Sequence, residues 1–473
     1  MPVQPVGIDA MYVYTPGYFV DTKELAQARE KDPAHFTEGV GIGAFSVPPP
    51  NETPVTMAAT AAYRLLKQEN VQPEEIFQVD VATESSSEGS RAMVSDVIGI
   101  LEEQGGFGNG SFAHVIGHEK KFACVSGVEG LLDAGAWLAS GWNRGKKVLL
   151  LVTDIARYEL ESPEEPTQGA AAAAILMSTD PRMLELVPGV YGSAMRNVRS
   201  DFHKQNARPI ALVDGTQSVA AYLSEMRGAW IRFAKAAADI GFIVPEKGKC
   251  VSDYIERGIF HNPHRKMVQA AYASLLIREW DMLSRWQPIE GKIATPPEKG
   301  GMSDPEFYSS KGYKEYRRKF MQTPEFQQDF ARRIAPSTEA PYLIGNSYAA
   351  SVFAGIDSLF ETDPKDLTGK SVALCGYGSG SHALIQAVRV SQHHREAKSS
   401  LDLMERLKKR EKLDIHRYAG WHRAYEPVQR GELPLSKLGV LEPNLQARPA
   451  FVLTGVGTPG SQTERVNEYA MVA

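Results

Sequence analysis

Cysteine is scarce in this sequence: three in 473 residues, Cys124, Cys250 and Cys375, far apart. That number and spacing exclude a disulfide framework and a cysteine-based zinc cluster, and they fit a reducing, cytoplasmic setting. Long hydrophobic runs are also missing. The apolar run at residues 169–177 is far short of the ~20 residues that a membrane-spanning helix needs. The opening Met-Pro-Val-Gln-Pro-Val-Gly has no charged segment followed by an apolar one, so no signal peptide is expected. An excess of positive charge is absent too, with 52 Lys and Arg against 57 Asp and Glu and a net charge of −5. Neither a nucleic acid nor a membrane is therefore an expected partner. What remains is a chain with 43% hydrophobic residues, long enough to bury a large core in roughly two to four structural units.

Apolar runs of strand length alternate with helical patterns. Gly7–Tyr14, Ile76–Ala82, Val148–Thr153 and Val372–Cys375 read as strands, the last two buried on both faces. Residues 54–69, 125–140, 216–240 and 264–285 read as helices. Such alternation predicts α/β layers. Residues 286–340 and 391–448 read as surface excursions, being polar, proline-bearing and charged. Between 395 and 412, seven basic residues against four acidic ones predict a solvated helix face, with an anion-binding lid as the alternative.

A faint repeat runs through the chain. Cys124 opens a small-residue helix pattern, followed 21 residues later by Gly-Lys-Lys and an apolar strand. Asn346 opens another, followed 23 residues later by Gly-Lys-Ser and a strand. Upstream, one strand ends in Thr83-Glu84-Ser85, and the apolar stretch Tyr254–Phe260 ends in His261-Asn262-Pro263-His264. The pattern predicts a duplicated fold, residues 1–215 and 216–473, whose halves share a site.

That duplication groups Glu84, Cys124, His261 and Asn346 at corresponding strand and helix ends. A thiol at a helix N-terminus feels partial positive charge, which favours the nucleophilic thiolate; a buried structural cysteine is the plainer alternative. A buried glutamate can move a proton on and off carbon, although Glu84 could equally be a surface carboxylate. A histidine can donate to a carbonyl oxygen, or simply be a core residue. Asn346 can hold an amide or carbonyl. His261 and His264, three apart with no acid or cysteine beside them, do not make a metal site. Gly376–Ser381 lacks the signature of a phosphate loop and reads as a tight turn offering backbone N–H groups to an oxyanion.

Nine ordered landmarks together resemble the hydroxymethylglutaryl-CoA synthase family. They are Ala82-Thr83-Glu84-Ser85, Ala123-Cys124, Asp154–Tyr158, Pro166–Gly169, Asp201–Lys204, Val213-Asp214-Gly215 with Ser218, Phe260–Pro263, Gly345–Tyr348 and Tyr377–Gly380. The resemblance implies a thiolase-like duplicated five-layered αβαβα fold of the α/β class, usually a homodimer. It implies condensation of acetyl-CoA with acetoacetyl-CoA to HMG-CoA, a mevalonate-pathway acyl transfer with CoA thioesters as substrates and no cofactor. Cys124 would carry the acetyl group, Glu84 would take a methyl proton from it, and His261 would donate to the acceptor ketone. Asp154, Tyr158, Thr167, Asp201, Ser218, Lys266, Asn346 and Ser379 would bind or support substrate, Lys266 near the CoA phosphates.

The sequence departs from the family pattern at His264, where Phe or Tyr is usual, at His203 in place of Tyr, and at Ala270, where some members carry a second lysine. A polyketide β-branching synthase, with its β-ketoacyl group on an acyl carrier protein, is the alternative activity. A ketosynthase or thiolase would leave Glu84 unexplained. A non-catalytic acyl-binding protein on the same fold is the alternative from another class.

Overall fold

The computed structural model describes residues 4–86, 88–204, 210–285, 289, 291–430, 432–434, 450–455 and 468–472. Nine strands form one hydrogen-bonded sheet: β1 (Val6–Tyr14), β2 (Ile76–Ala82), β3 (Ile116–Lys120), β4 (Lys147–Ala156), β5 (Gly169–Thr179), β6 (Leu184–Met195), β7 (Arg257–Phe260), β8 (Ser371–Gly378) and β9 (His382–Val390). Their spatial order is β7-β8-β9-β6-β1-β5-β4-β2-β3. The pairing repeats. β2 is parallel to β4, β4 antiparallel to β5, and β5 antiparallel to β1. In the same way β7 is parallel to β8, β8 antiparallel to β9, and β9 antiparallel to β6. The two sets meet where β1 pairs with β6 through Gly7↔Glu185 and Ile8↔Leu184. A Cβ on Gly7 would stand 2.0 Å from the Leu184 carbonyl oxygen, so the seam closes only over a glycine. Because β6 bonds to β9, we propose that the units divide between β5 and β6, upstream of the 215/216 division.

Helices supply the other layers. α1 (Pro54–Gln68) starts at a Thr53 capping box with Pro54 as its first residue, and it packs on β1, β4 and β5. α3 (Gly215–Asp239), capped by the Asp214 carboxylate, packs on β6, β8 and β9, and α4 (Arg265–Met282) packs beside it. Between the half-sheets lie α2 (Ser126–Ser140) and α5 (Ser351–Thr362), each touching strands of both sets. Every residue of α5 from Ser351 to Phe360 is buried, as a helix enclosed by two sheets requires. The order is helix, sheet, helix, sheet, helix: the five layers expected. β4 and β5 are buried on both faces, which explains their unbroken apolar character.

Two expectations need correction, and a third holds only in part. Residues 304–333 are not a polar excursion but carry helices Asp304–Ser309, Lys311–Met321 and Pro324–Arg333. Their Tyr313, Phe320, Phe326 and Phe330 are buried in the core of the second unit, spaced so that each amphipathic helix turns its aromatics inward. The charged stretch 395–412 is solvated as expected at Arg395, Asp402, Glu405, Lys408, Lys409 and Lys412, but Arg406 and Arg410 are buried beside Leu403 and Leu407; of the rest of that excursion, residues 435–448 lie outside the described residues. The stretch before His261 is a 3-10 turn, Val251–Tyr254, followed by β7, rather than a strand from Tyr254. No helix among the described residues is long and apolar enough to cross a membrane.

Candidate active site

The repeat brings four chain segments together, three of which line one cavity of about 260 Å³. Thr83–Ser85 follows β2, and His261–His264 follows the equivalent β7. Phe122–Val125 precedes α2, and Asn346–Tyr348 precedes the equivalent α5. Cys124, Tyr158, Thr167, Ser218, His261, Asn346 and Ser379 line the cavity, together with His264, Tyr222, Tyr348 and Tyr377. Glu84 joins the site through the nucleophile: the Cys124 thiol donates to Glu84 Oε2 at 3.0 Å.

The backbone is forced on either side. Ala123 (φ 43°) and Tyr348 (φ 45°) both sit in the left-handed region although neither is glycine, a cost of about 1–3 kcal/mol each that persists only where surrounding structure imposes it. β8 presses the Cys124 loop into place. A Cβ on Gly378 would lie 2.6 Å from the Phe122 carbonyl oxygen and 2.9 Å from the Val125 nitrogen. Gly378→Ala is therefore expected to lower stability by about 1–3 kcal/mol, as overpacking does, and to displace Cys124. Thermal unfolding together with thiol alkylation rates checks both effects.

Electrostatics depart from the thiolate expectation. Cys124 lies two residues ahead of α2, and its thiol is pushed well above the ordinary cysteine range by burial, then by the charge and hydrogen bond of Glu84. Glu84 is raised in turn by burial and by the neighbouring Asp154 charge, against the thiol hydrogen bond and Lys204. A raised carboxylate is a stronger base. His261 is lowered to about 3, chiefly by burial, so its imidazole is neutral and offers a single N–H. Its Nδ1 is 2.7 Å from Ser351 Oγ; that hydroxyl accepts from the Asn262 backbone N–H at 3.3 Å, and donating its own proton to Nδ1 leaves the imidazole N–H on Nε2. The His261 backbone is held at both ends, its N–H donating to Cys375 O at 2.7 Å and its carbonyl accepting from Tyr222 OH at 2.9 Å.

Three of the expected substrate residues sit elsewhere or act indirectly. Asp154 is fully buried and faces protein donors, not the cavity. Oδ1 accepts from Thr83 Oγ1, the Glu84 backbone N–H and Ser85 Oγ at 2.8–2.9 Å, and Oδ2 from the Ala349 N–H at 3.0 Å. It thus ties the Glu84 turn to the Asn346 segment. Asp201 is buried below the Ser379 turn, its Oδ2 accepting from Tyr377 OH and Gly380 N–H, each at 3.3 Å. Lys266 is exposed in the first turn of α4, outside the cavity wall. The helix after Asn346 begins only at Ser351, following a 3-10 turn. Of Gly376–Ser381, the first three residues end β8 and only the remainder turns.

Sequence reasoning did not identify Ser351, which lies in a small-residue run with nothing to mark it, nor Tyr222, a helix residue with ordinary core spacing. His264 stands at the N-terminus of α4, its Nδ1 2.9 Å from the Val40 carbonyl oxygen and 3.3 Å from the Met267 backbone nitrogen.

Residues 2–182 match the N-terminal model of hydroxymethylglutaryl-coenzyme A synthase, and residues 185–427 the C-terminal model. A hydroxymethylglutaryl-CoA synthase from Haloferax volcanii is 32% identical over 98% of this chain and 99% of its own. Among solved structures, MvaS in complex with 3-hydroxy-3-methylglutaryl coenzyme A superposes with a TM-score of 0.79 at 28% identity, covering 99% of each chain. The HMG synthase of the curacin biosynthetic pathway shares the fold equally well, TM-score 0.79, at 22% identity over 99% of this chain and 100% of its own. The shared architecture is the thiolase-like fold. With both halves matched in order and a relative aligned from end to end, this chain belongs to the hydroxymethylglutaryl-CoA synthase family.

Proposed function

We propose that the protein condenses acetyl-CoA with acetoacetyl-CoA to give HMG-CoA and free CoA, as a cytoplasmic, homodimeric acyltransferase of the mevalonate pathway. The observation that carries this reading is the Cys124 thiol donating to Glu84 Oε2 on a cavity that His261 also lines.

Each step balances on these groups. The thiol proton passes to Glu84 as Sγ attacks the acetyl carbonyl, and CoA leaves as its thiol, leaving acetyl-Cys124. Glu84, ionised again, takes a proton from the acetyl methyl, and a thioester makes that proton more acidic than an oxygen ester does. The resulting carbanion attacks the ketone of acetoacetyl-CoA. The neutral His261 N–H donates to the oxygen as charge develops there, an interaction whose loss typically costs ~10²–10³ in rate, and the alkoxide becomes the tertiary alcohol with the proton that Glu84 had removed. Water then hydrolyses the Cys124 thioester and restores the thiol. Tyr158, Thr167, Ser218, Asn346 and Ser379 hold the acyl groups in line, and Lys266 at the exterior meets the CoA phosphates.

Incubation with acetyl-CoA and acetoacetyl-CoA, followed by chromatography, tests the reading: HMG-CoA and CoA appear together in equal amounts. Turnover only with acetoacetyl-carrier protein assigns the β-branching activity instead, and no product with either acceptor assigns a non-catalytic role.

The proximity of Asp154 gives a pH prediction. Its charge helps raise Glu84, and Glu84 must be ionised to accept a methyl proton, so the condensation rate falls as pH drops through a point above the ordinary carboxylate range. Asp154→Asn removes that charge, the Glu84 pKa falls, and the acid limb moves to lower pH. Single-turnover rates of pre-acetylated enzyme across pH measure the shift.

A further inference from the structure

The segment 403–429, which sequence reasoning left without a role, reaches the cavity wall through buried hydrogen bonds. Helix Ile415–Gln429 lies against the Glu165–Gln168 turn that carries Thr167. Tyr418, almost wholly buried, donates its hydroxyl to Glu165 Oε1 at 3.0 Å and accepts from Gln168 Nε2. Gln168 Oε1 accepts from the backbone N–H of Tyr158 at 3.1 Å. One turn further along the helix, His422 Nε2 lies 2.8 Å from the Tyr158 carbonyl oxygen. Both backbone polar groups of Tyr158 are thus held, one by the helix directly and one through Gln168. The far end of Tyr158 lies in the cavity, its hydroxyl 3.4 Å from Asn346 Nδ2.

The other side of the turn is fixed as well. Arg29 holds Glu165 through two hydrogen bonds of 2.8 Å. Asn346 N–H donates to Thr167 O at 3.3 Å, and Gly169 bridges to Gly345. Arg410, ahead of the helix, donates to the Leu343 carbonyl at 2.9 Å, three residues before Asn346.

We propose that Tyr418 and Gln168 are positioning residues of the acyl-binding cavity: the Tyr418–Gln168–Tyr158 chain of hydrogen bonds sets the place of Tyr158, Thr167 and Asn346, so that the C-terminal helix governs how tightly the acyl thioester is held. Neither residue touches the reacting atoms. The inference rests on the condensation reading above, and its test separates the two. Tyr418→Phe removes one hydroxyl and keeps the ring packed against Phe45; Gln168→Leu removes both links of the chain.

Steady-state kinetics on wild type, both single variants and the double variant decide it, with the Tm of each recorded. Tyr418→Phe is expected to raise KM for the acyl thioester about tenfold, the scale of one lost buried hydrogen bond, with kcat within about threefold. The double variant is expected to be no worse than the poorer single one, because the two act in one chain. KM of Tyr418→Phe within twofold of wild type overturns the proposal, whatever the change in Tm, and so do independent, multiplying effects in the double variant. If Gln168→Leu does not fold, the KM of Tyr418→Phe decides alone. Inactive wild type overturns the condensation reading, and this inference with it; active wild type with an unmoved KM overturns the inference alone.

Discussion

Glu84→Ala accepts an acetyl group from acetyl-CoA and then stops. Removing the carboxylate takes away its charge and its hydrogen bond, two of the causes that hold the Cys124 thiol protonated. The thiol therefore ionises more readily in the variant, its proton goes to solvent, and acetylation runs to the same end point. Nothing then accepts the methyl proton. Asp154 cannot substitute, because Thr83, Ser85 and the backbone N–H groups of Glu84 and Ala349 occupy its oxygens. Condensation is expected to fall ~10²–10⁴-fold, the usual worth of a positioned general base. Rapid quench of the pre-acetylated variant with acetoacetyl-CoA gives the rate; wild-type turnover refutes Glu84 as the base.

Removal of the nucleophile has the larger effect. Cys124→Ala is expected to lower turnover roughly 10⁴- to 10⁶-fold, the scale on which a covalent nucleophile is missed. Cys124→Ser keeps a donor to Glu84 but gains little. An alcohol is a poorer nucleophile at this site, and the ester it forms has less acidic methyl protons than a thioester. HMG-CoA formation followed over hours measures the residual rate in both. Cys250 and Cys375 do not compensate: Cys375 is buried within β8, and Cys250 caps the 3-10 turn at Val251–Tyr254, neither on the cavity wall.

How far the molecule could be read from its residues depended on the range of the interaction. β4 and β8 were plain because strands buried on both faces leave unbroken apolar runs, and each is opened by Gly-Lys. The duplication was visible because Glu84 and His261 end equivalent strands, and Cys124 and Asn346 precede equivalent helices. The protonation state of Cys124 was not visible. A helix terminus can be read locally, whereas Glu84 is brought to the thiol from 40 residues away and Asp154 from a third segment. Arg406 and Arg410 looked like solvent-facing charges, yet they donate to the carbonyls of Val13 and Leu343, contacts that only the folded chain creates. The aromatics of 304–333 were hidden by the high charge of the opposite helix faces. Ser351, Gln168 and Tyr418 carry no signal of their own; their roles come from partners 90 and 250 residues distant.

The account turns on an acyl group carried by one sulfur. The direct measurement is intact-protein mass after brief exposure to acetyl-CoA alone, followed by peptide mapping. One acetyl group on the peptide containing Cys124, absent from Cys124→Ala, is the predicted result. No adduct, or an adduct that persists in Cys124→Ala, contradicts it.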